Sequence, residues 1–416
     1  MDLNLNGHYS FWTDRIQEYH EVKIMVKPDK QKEFEDHLTS EGVKIKMVVD
    51  DVQKLVDATL KRPKVNRLNN NYAWEYYQTL DEINEWLENI VSEHSDIASI
   101  VNIGTTFEGR DIKGVKIDFM KRDKPVIGFL EGGIHSREWI SPATMTWVIN
   151  EFLTSSNPDI RSMAENVVWY IFPVVNPDGY EYSFTNNRMW RKNRNTEHFT
   201  SCAATNVADD LSNGVDLNRN FGFQWNTVGV SPDPCSLVFP GGSPNSELET
   251  LSIINFVYQL QQEGTLIYYL AFHSFSQMVL IPYSHVEKGD VLEVPNYGDL
   301  HEIIIKAMDK LTARHNTTYV VGTSKEILYE TSGGSFDWAR GVADIPIVYL
   351  YELRDLGAYG FLLPPEQIIS NNEEVMDSLV ELDRVTRQLN YYRSNGYVLK
   401  FNALIILAVL FVGYLR

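Results

Sequence analysis

Cysteine is nearly absent from this chain: Cys202 and Cys235 are the only two in 416 residues. Two thiols with no Cys-x-x-Cys spacing exclude a structural zinc site built on cysteine. Both lie in polar, Ser/Asn/Pro-rich sequence, which favours one disulfide in an oxidising compartment over two buried thiols. Positive charge is also scarce. Lys and Arg number 37 against 56 Asp and Glu, a formal net charge of −19. Phosphate backbones need clustered cations, so this balance argues against a nucleic-acid partner. The N-terminus, MDLNLNGHYSFWTDRIQEYHE, lacks the apolar core of a secretory leader. Long hydrophobic runs are missing except at the other end, where Phe401 to Leu415 is apolar apart from Asn402. As a helix that run rises about 1.5 Å per residue and falls short of the ~30 Å hydrocarbon core. Starting it at Tyr397 nearly reaches that length but enlists Lys400, which must snorkel. The remaining composition, 44% hydrophobic and 12% aromatic, suffices for a large folded core.

Residues 1–65 read as β-α-β-α. VKIMV (22–26) alternates as a strand, and PDKQKEFEDHLTSEG (28–42) opens on Pro28 and closes on Gly42 as a helix does. VKIKMVV (43–49) reads as a second strand, and DDVQKLVDATLKR (50–62) as a second helix with Asp50 at its start. Half of an open α/β sandwich buries little by itself. KRPKVNRLNNNY, Lys61 to Tyr72, is a basic linker suited to trypsin-like cleavage. From Trp74 to about Asn390 strands and helices alternate without another such break. YQTLDEINEWLENIVSEH is an amphipathic helix. VIGFLE, VVWYIFPVV, LIYYLAFH and IPIVYLYEL are apolar runs bounded by turn signals, as expected of strands covered on both faces. The expected fold class is α/β: a single large mixed, mostly parallel sheet flanked by helices over 66–392, preceded by a partial α/β segment and followed by a hydrophobic tail over 393–416.

Chemistry gathers at the ends of these strands. In EGGIHSREW, His135 closes a strand and Glu138 opens a helix one turn on, so both side chains can converge. Imidazole and carboxylate suit zinc, although a lone His-x-x-Glu is more often a salt-bridged surface pair. His273 ends another apolar strand, and in an open α/β sheet the carboxyl ends of strands meet in one crevice. His135, Glu138 and His273 then make a three-ligand catalytic zinc site with an open fourth position, and Asp216 in GVDLNRNF can accept the other ring N–H of a liganding histidine. Glu352, at the end of IPIVYLYEL, can act as a base toward metal-activated water; the bland alternative is a partner for Arg354. Arg191 in NRMWRKNR, and Asn218 and Arg219 in DLNRNF, can clamp a carboxylate or stabilise an oxyanion. Their apolar neighbours Met189, Trp190 and Phe221 argue against a solvated basic patch. Tyr329 precedes a Gly-Gly pair suited to a tight or mobile loop, with core packing as the alternative.

Taken in order, GIHSREW, NPDGY, NRMWRK, DLNRNF, HSFSQ, SGGSFDWA and ELRDLGAYGFLLPPEQI resemble the pancreatic-type zinc metallocarboxypeptidases, the A/B subfamily, across residues 70–390. The resemblance implies a carboxypeptidase-like sheet and one zinc ion bound by His135, Glu138 and His273. It implies Glu352 as general base and then acid, and Arg191 as the group that polarises the scissile carbonyl. Asn218, Arg219 and Tyr329 hold the substrate's terminal carboxylate, with Arg137 in the adjacent subsite. Peptide and protein C-termini are the implied partners, and a monomer is expected. At the base of the pocket for the terminal side chain stands Phe336, where B-type members carry Asp, so an A-type preference for apolar termini is expected. Leu350 matches a second pocket position and is larger than usual, which points to aliphatic termini over Trp.

Several features depart from the family pattern. Phe275 stands where Tyr is common, and the loop Thr200 to Asn213 is long. Residues 37–60 resemble the second half of an inhibitory prosegment, without its first half or a leader. Ser394-Asn395-Gly396 ahead of the apolar tail suits a lipid-anchor site, with a short spacer. A GPI anchor and a short membrane tail are equal expectations, ahead of a buried C-terminal helix, and a membrane-anchored subgroup is known in the family. Asn316-Thr317-Thr318 is a glycosylation sequon compatible with an extracellular route. The rival reading is a non-catalytic, membrane-attached peptide-binding homologue, or an enzyme with a different C-terminal preference; no ligand or base is missing, which disfavours the former.

Overall fold

A computed structural model describes residues 9–12, 21–62, 72–197, 213–285 and 294–392. β1 (Tyr9–Phe11) and β2 (Ile24–Val26) pair antiparallel as a two-stranded sheet. α1 (Gln31–Ser40) follows a 3-10 turn begun at Pro28 and buries Phe34 and Leu38, four residues apart on one face. α2 (Val52–Leu60) is N-capped by Asp51, one residue later than the expected Asp50, with the Asp51 side chain accepting from Lys54 N. Among the described residues the order is thus β-β-α-α and not β-α-β-α. The strand expected over 43–49 does not form. Val43, Ile45, Met47 and Val48 stand between 43% and 54% exposed. A strand needs a ladder partner, and among the described residues 43–49 pairs with neither β1 nor β2.

From residue 72 onward an eight-stranded sheet organises the chain. Thr79 and Glu82 form a reciprocal capping box that starts α3 (Leu80–Glu93), whose period turns Leu80, Ile83, Leu87 and Ile90 inward. β3 (Ala98–Thr105) and β4 (Asp111–Ile117) form an antiparallel edge. β5 (Val126–Gly132), α4 (Ile140–Thr154), α5 (Pro158–Asn166), β6 (Val168–Phe172) and α6 (Pro177–Thr185) come next, then α7 (Leu248–Glu263) and β7 (Thr265–Ser274). β8 (Met278–Ile281), α8 (Tyr297–His315), β9 (Val320–Thr323), α9 (Ser324–Ile327), α10 (Ser335–Gly341), β10 (Ile347–Leu353) and α11 (Ile368–Gln388) complete the described chain. The sheet order is β3-β4-β6-β5-β7-β10-β8-β9. Its centre, β6-β5-β7-β10, is parallel, while β4 meets β6 and β8 meets β10 antiparallel. The run VVWYIFPVV contributes only Val168–Phe172 to the sheet, because Pro173 has no N–H to continue the ladder.

Alternation along the central strands sorts side chains into two cores. Leu130, Leu270, Phe272, Tyr349 and Tyr351 pack toward α4, α8 and α11, whereas Phe129, Tyr269, Ala271, Val348 and Leu350 pack toward α7 and α10. No helix among the described residues is long and apolar enough to cross a membrane; the tail over 393–416 lies outside the described residues. At the centre, a Cβ built on Gly128 comes within 2.3 Å of the Trp169 ring on β6. Gly128→Val therefore forces the two strands apart and is expected to cost about 1–3 kcal/mol, read as a lower urea midpoint with an unchanged m-value.

Candidate active site

The turn between β5 and α4 carries the first two predicted ligands. The strand ends at Gly132, earlier than expected, and Gly133 adopts φ +66 against Pro173 O and Val174, a close approach that suits glycine. His135 and Glu138 both sit in this turn, before the helix begins at Ile140, with Glu138 N donating to His135 O at 3.2 Å. His273 is the penultimate residue of β7. His135, Glu138 and His273 are all buried, and one donor atom from each lies within 4.8 Å of the others. His135 Nδ1 is 2.8 Å from Glu138 Oε1 and 3.1 Å from His273 Nδ1, which in turn is 3.2 Å from Glu138 Oε2. Two imidazole nitrogens and a carboxylate crowded onto one point are the donor set that zinc takes. The electrostatics fit a cation there. Burial alone would raise the Glu138 pKa, but the two imidazoles beside it hold it far below the usual carboxylate range. Burial and Arg191 oppose a charge on His135, yet Glu138 and Asp216 hold its pKa up, while burial pushes His273 down.

Asp216 ties three predicted elements together. Its Oδ1 lies 3.1 Å from His135 Nε2 and accepts from Asn218 N at 3.0 Å. Its Oδ2 accepts from Arg191 Nε and Nη2 at 3.2 and 2.9 Å. Burial opposes its charge, but Arg191, Arg219 and His135 keep its pKa well below the usual value. The cap on Asn218 N starts the 3-10 turn Leu217–Arg219. Arg191 Nη1 is 3.8 Å from Glu138 Oε1. Arg219 donates to its neighbour's carbonyl, Asn218 O, at 2.9 Å and to Gly229 O at 3.2 Å. Asn218 Oδ1 accepts from Ser335 N at 2.9 Å, at the start of α10.

The fourth strand end is β10. Glu352 is in register with His273 on the adjacent parallel strand and with Met278 on the other side. Arg354 pairs with Glu374 and donates to Thr317 Oγ1 at 2.8 Å. Phe336 and Leu350 are buried in one apolar cluster. Tyr329 is half-buried, directly after α9. Arg137 is fully buried, its guanidinium 3.9 Å from the Phe361 ring centroid. Cys202 lies outside the described residues, and Cys235 has no free thiol.

Other groups of the site were not legible in the sequence. Arg188 lies 3.5 Å over Trp139 and donates to Arg137 O at 2.8 Å and Phe361 O at 2.6 Å; burial lowers its pKa to about 9. Lys192, beside Arg191, donates to Pro234 O and Ser236 O at 2.9 and 2.8 Å, and burial lowers its pKa to about 7. Asn176, in NPDGY, caps α6 and donates to Ile134 O, Ser136 Oγ and Lys192 O, joining the ligand turn to the arginine segment. An Asn-Pro pair signals a helix start, but nothing in it names these distant partners. From the hub geometry we propose that Asp216 orients His135 toward the metal. Asp216→Asn is then expected to weaken zinc binding by about 10–100-fold in a chelator competition, with little change in fold by circular dichroism.

Comparisons with known proteins agree with this geometry. The family profile described as zinc carboxypeptidase matches residues 83–378, and that described as carboxypeptidase activation peptide matches residues 1–59. The second match starts well upstream of the 37–60 stretch that carried the resemblance. The chain is 38% identical over 371 residues to zinc carboxypeptidase A 1 of Anopheles gambiae, covering 89% of this chain and 81% of that one. It is 44% identical over 320 residues to the zinc carboxypeptidase of Simulium vittatum, covering 77% and 99%. Among solved structures, carboxypeptidase A from Helicoverpa armigera superposes with a TM-score of 0.77 at 28% identity, covering 93% of each chain. Thrombin-activatable fibrinolysis inhibitor gives 0.82 at 27% identity, covering 91% and 92%. With its His-Glu-His cluster at the strand ends of a mixed sheet, this chain belongs to the zinc carboxypeptidase family: it is a metal-dependent peptide hydrolase acting at C-termini, with an activation segment at its head.

Proposed function

We propose that this enzyme removes single, apolar C-terminal residues and uses Glu352 as its base. The observation that carries the reading is the convergence of His135, Glu138 and His273 beside the strand that bears Glu352. Zinc held by those side chains supplies Lewis-acid polarisation and activates water at neutral pH. The chain's own groups do the rest. The Glu352 carboxylate takes a proton from the attacking water and returns it to the leaving amine nitrogen. The Arg191 guanidinium holds the charge that develops on the carbonyl oxygen. Asn218, Arg219 and Tyr329 hold the substrate's α-carboxylate, so the last peptide bond meets the base. Arg137, beneath Phe361, backs the neighbouring subsite.

The burial of Phe336 and Leu350 in one apolar cluster supports the side-chain preference. A Lys or Arg terminus would be desolvated against Phe336 without a carboxylate at that position. The activation segment inhibits by covering the rim. Trp12 packs on Phe361 with ring centroids 5.9 Å apart, and Lys23 donates to Leu356 O and Gly357 O at 3.2 and 3.1 Å, its ammonium 5.2 Å from the Phe275 ring. Cleavage in the 61–72 linker releases it. A Cys202–Cys235 disulfide, supported by the absence of a free thiol, accompanies an extracellular route, and the 393–416 tail anchors the enzyme at the cell surface.

Blocked dipeptides ending in Leu, Phe, Trp or Lys test the reading, assayed before and after linker cleavage and with or without chelator. Turnover is expected only after cleavage, is lost to chelator and restored by zinc, and falls from Leu and Phe to Trp, with Lys last. Best turnover of the Lys peptide overturns the preference. Glu352→Gln is expected to lower kcat by about 10²–10⁴ with zinc retained, and Arg191→Ala by about 10²–10³. For the tail, phosphatidylinositol-specific phospholipase applied to cells making the full chain releases the enzyme if the anchor is a lipid; retention after digestion assigns the tail to the bilayer, and enzyme in the medium before digestion overturns anchoring.

A further inference from the structure

Glu131 carries a buried carboxyl that the proposed chemistry does not use. It lies on β5 opposite Ala271 of β7, which is itself opposite Leu350 of β10. One β-repeat further along the last two strands stand His273 and Glu352. In so apolar a row a carboxyl 1% exposed is costly unless its oxygens are occupied. Oε1 accepts from Tyr269 Oη at 2.8 Å and from Ser335 Oγ at 2.6 Å, while Oε2 has no partner among the described residues. Burial raises its pKa despite those two donors.

Ser335 leads from Glu131 to the substrate side. Its backbone N–H donates to Asn218 Oδ1, which fixes the orientation of the amide and turns the Nδ2 donors to the side opposite that contact. The turn before it is docked as closely. Phe221 N donates to Gly333 O at 3.0 Å, and Gly333, at φ +73, leaves no room for a Cβ, which would meet Arg219 O at 2.2 Å. The 333–335 turn and the 217–221 segment are thus docked on each other, and Glu131 links them to the strand leading into the ligand turn.

We infer that Glu131 is a positioning residue for recognition of the C-terminal carboxylate: by holding Ser335 it sets the turn that aims Asn218 and Arg219. This rests on the reading of those two residues as the carboxylate clamp. Kinetics of the linker-cleaved, zinc-loaded enzyme on a blocked dipeptide test it, with zinc content and thermal melting measured on each variant. Glu131→Leu is expected to raise KM roughly tenfold with kcat changed far less, since the polar link is lost and the substrate is bound less well in ground and transition state alike. Glu131→Gln, which keeps an acceptor for Ser335 on a side chain of the same length, recovers most of the loss. Ser335→Ala, which removes the hydroxyl but not the N–H, raises KM in the same way, and its effect does not add to that of Glu131→Leu. An unchanged KM in Glu131→Leu, or a fall confined to kcat or zinc content, overturns the inference. If Glu131→Leu does not fold, an unchanged KM in Ser335→Ala overturns it. Asn218→Ala separates the two readings: a raised KM there with none in the Glu131 and Ser335 variants sinks this inference alone, whereas an unchanged KM in Asn218→Ala sinks the clamp and this inference with it.

Discussion

The charge on Asp216 is the constraint on which the site is built. A carboxylate with no solvent exposure must be matched by donors and cations, or its burial would cost several kcal/mol. The protein matches it with an imidazole, a guanidinium and a backbone N–H, drawn from the β5–α4 turn, the segment after α6 and the 3-10 turn over 217–219. Because those partners are fixed by the need to satisfy one buried anion, His135, Arg191 and Asn218 are held at set distances from one another. The geometry of the site follows from electrostatic accounting at a residue that has no part in bond making in the proposed chemistry.

The sheet supplies the second constraint. Parallel strands in register put residues with the same facing side by side, and β7 and β10 are aligned so that His273 and Glu352 are neighbours. Alternation then decides what lies beneath: Ala271 and Leu350 share that face one repeat down. A one-residue slip of β10 would turn Glu352 into the opposite core and Tyr351 toward the metal ligands. The large aromatic and aliphatic side chains of β10 that interlock with α8 and α11 therefore maintain the site as much as they maintain the fold.

The head of the chain is held differently. Between β1 and α2 few side chains among the described residues are buried, and the segment leans on the rest of the molecule: Trp12, Met25, Val52, Leu55 and Val56 pack in one small cluster with Met189, Phe361 and Leu362, Lys23 reaches two carbonyls and the Phe275 ring, and Arg62 donates to Glu82. A segment with so little core of its own depends on the surface it covers. That dependence suits a piece of chain meant to be cut away, and it explains why the alternating stretch 43–49 can stay unpaired without loss of the surrounding helices.

The amino-acid sequence alone determined the kind of elements and the kind of chemistry. Apolar runs ending in His273 and Glu352 and a glycine pair before His135 are local signals, readable because period and turn chemistry act over a few residues. The His-x-x-Glu spacing offered two candidate ligands for the same reason, but alone it reads more often as a surface pair, and it took His273 from another strand to make a site. Only the tertiary structure decided the rest. It put Glu138 in a turn ahead of the helix and denied the 43–49 strand a partner. It gave Arg354 to Glu374, and it bonded Arg188, Lys192, Asn176 and Glu131 to segments that carry the candidate site residues. Each of these outcomes depends on which groups from distant segments a buried charge or an unpaired backbone donor finds. That choice is a competition among non-local partners, and no window of neighbouring residues records its result.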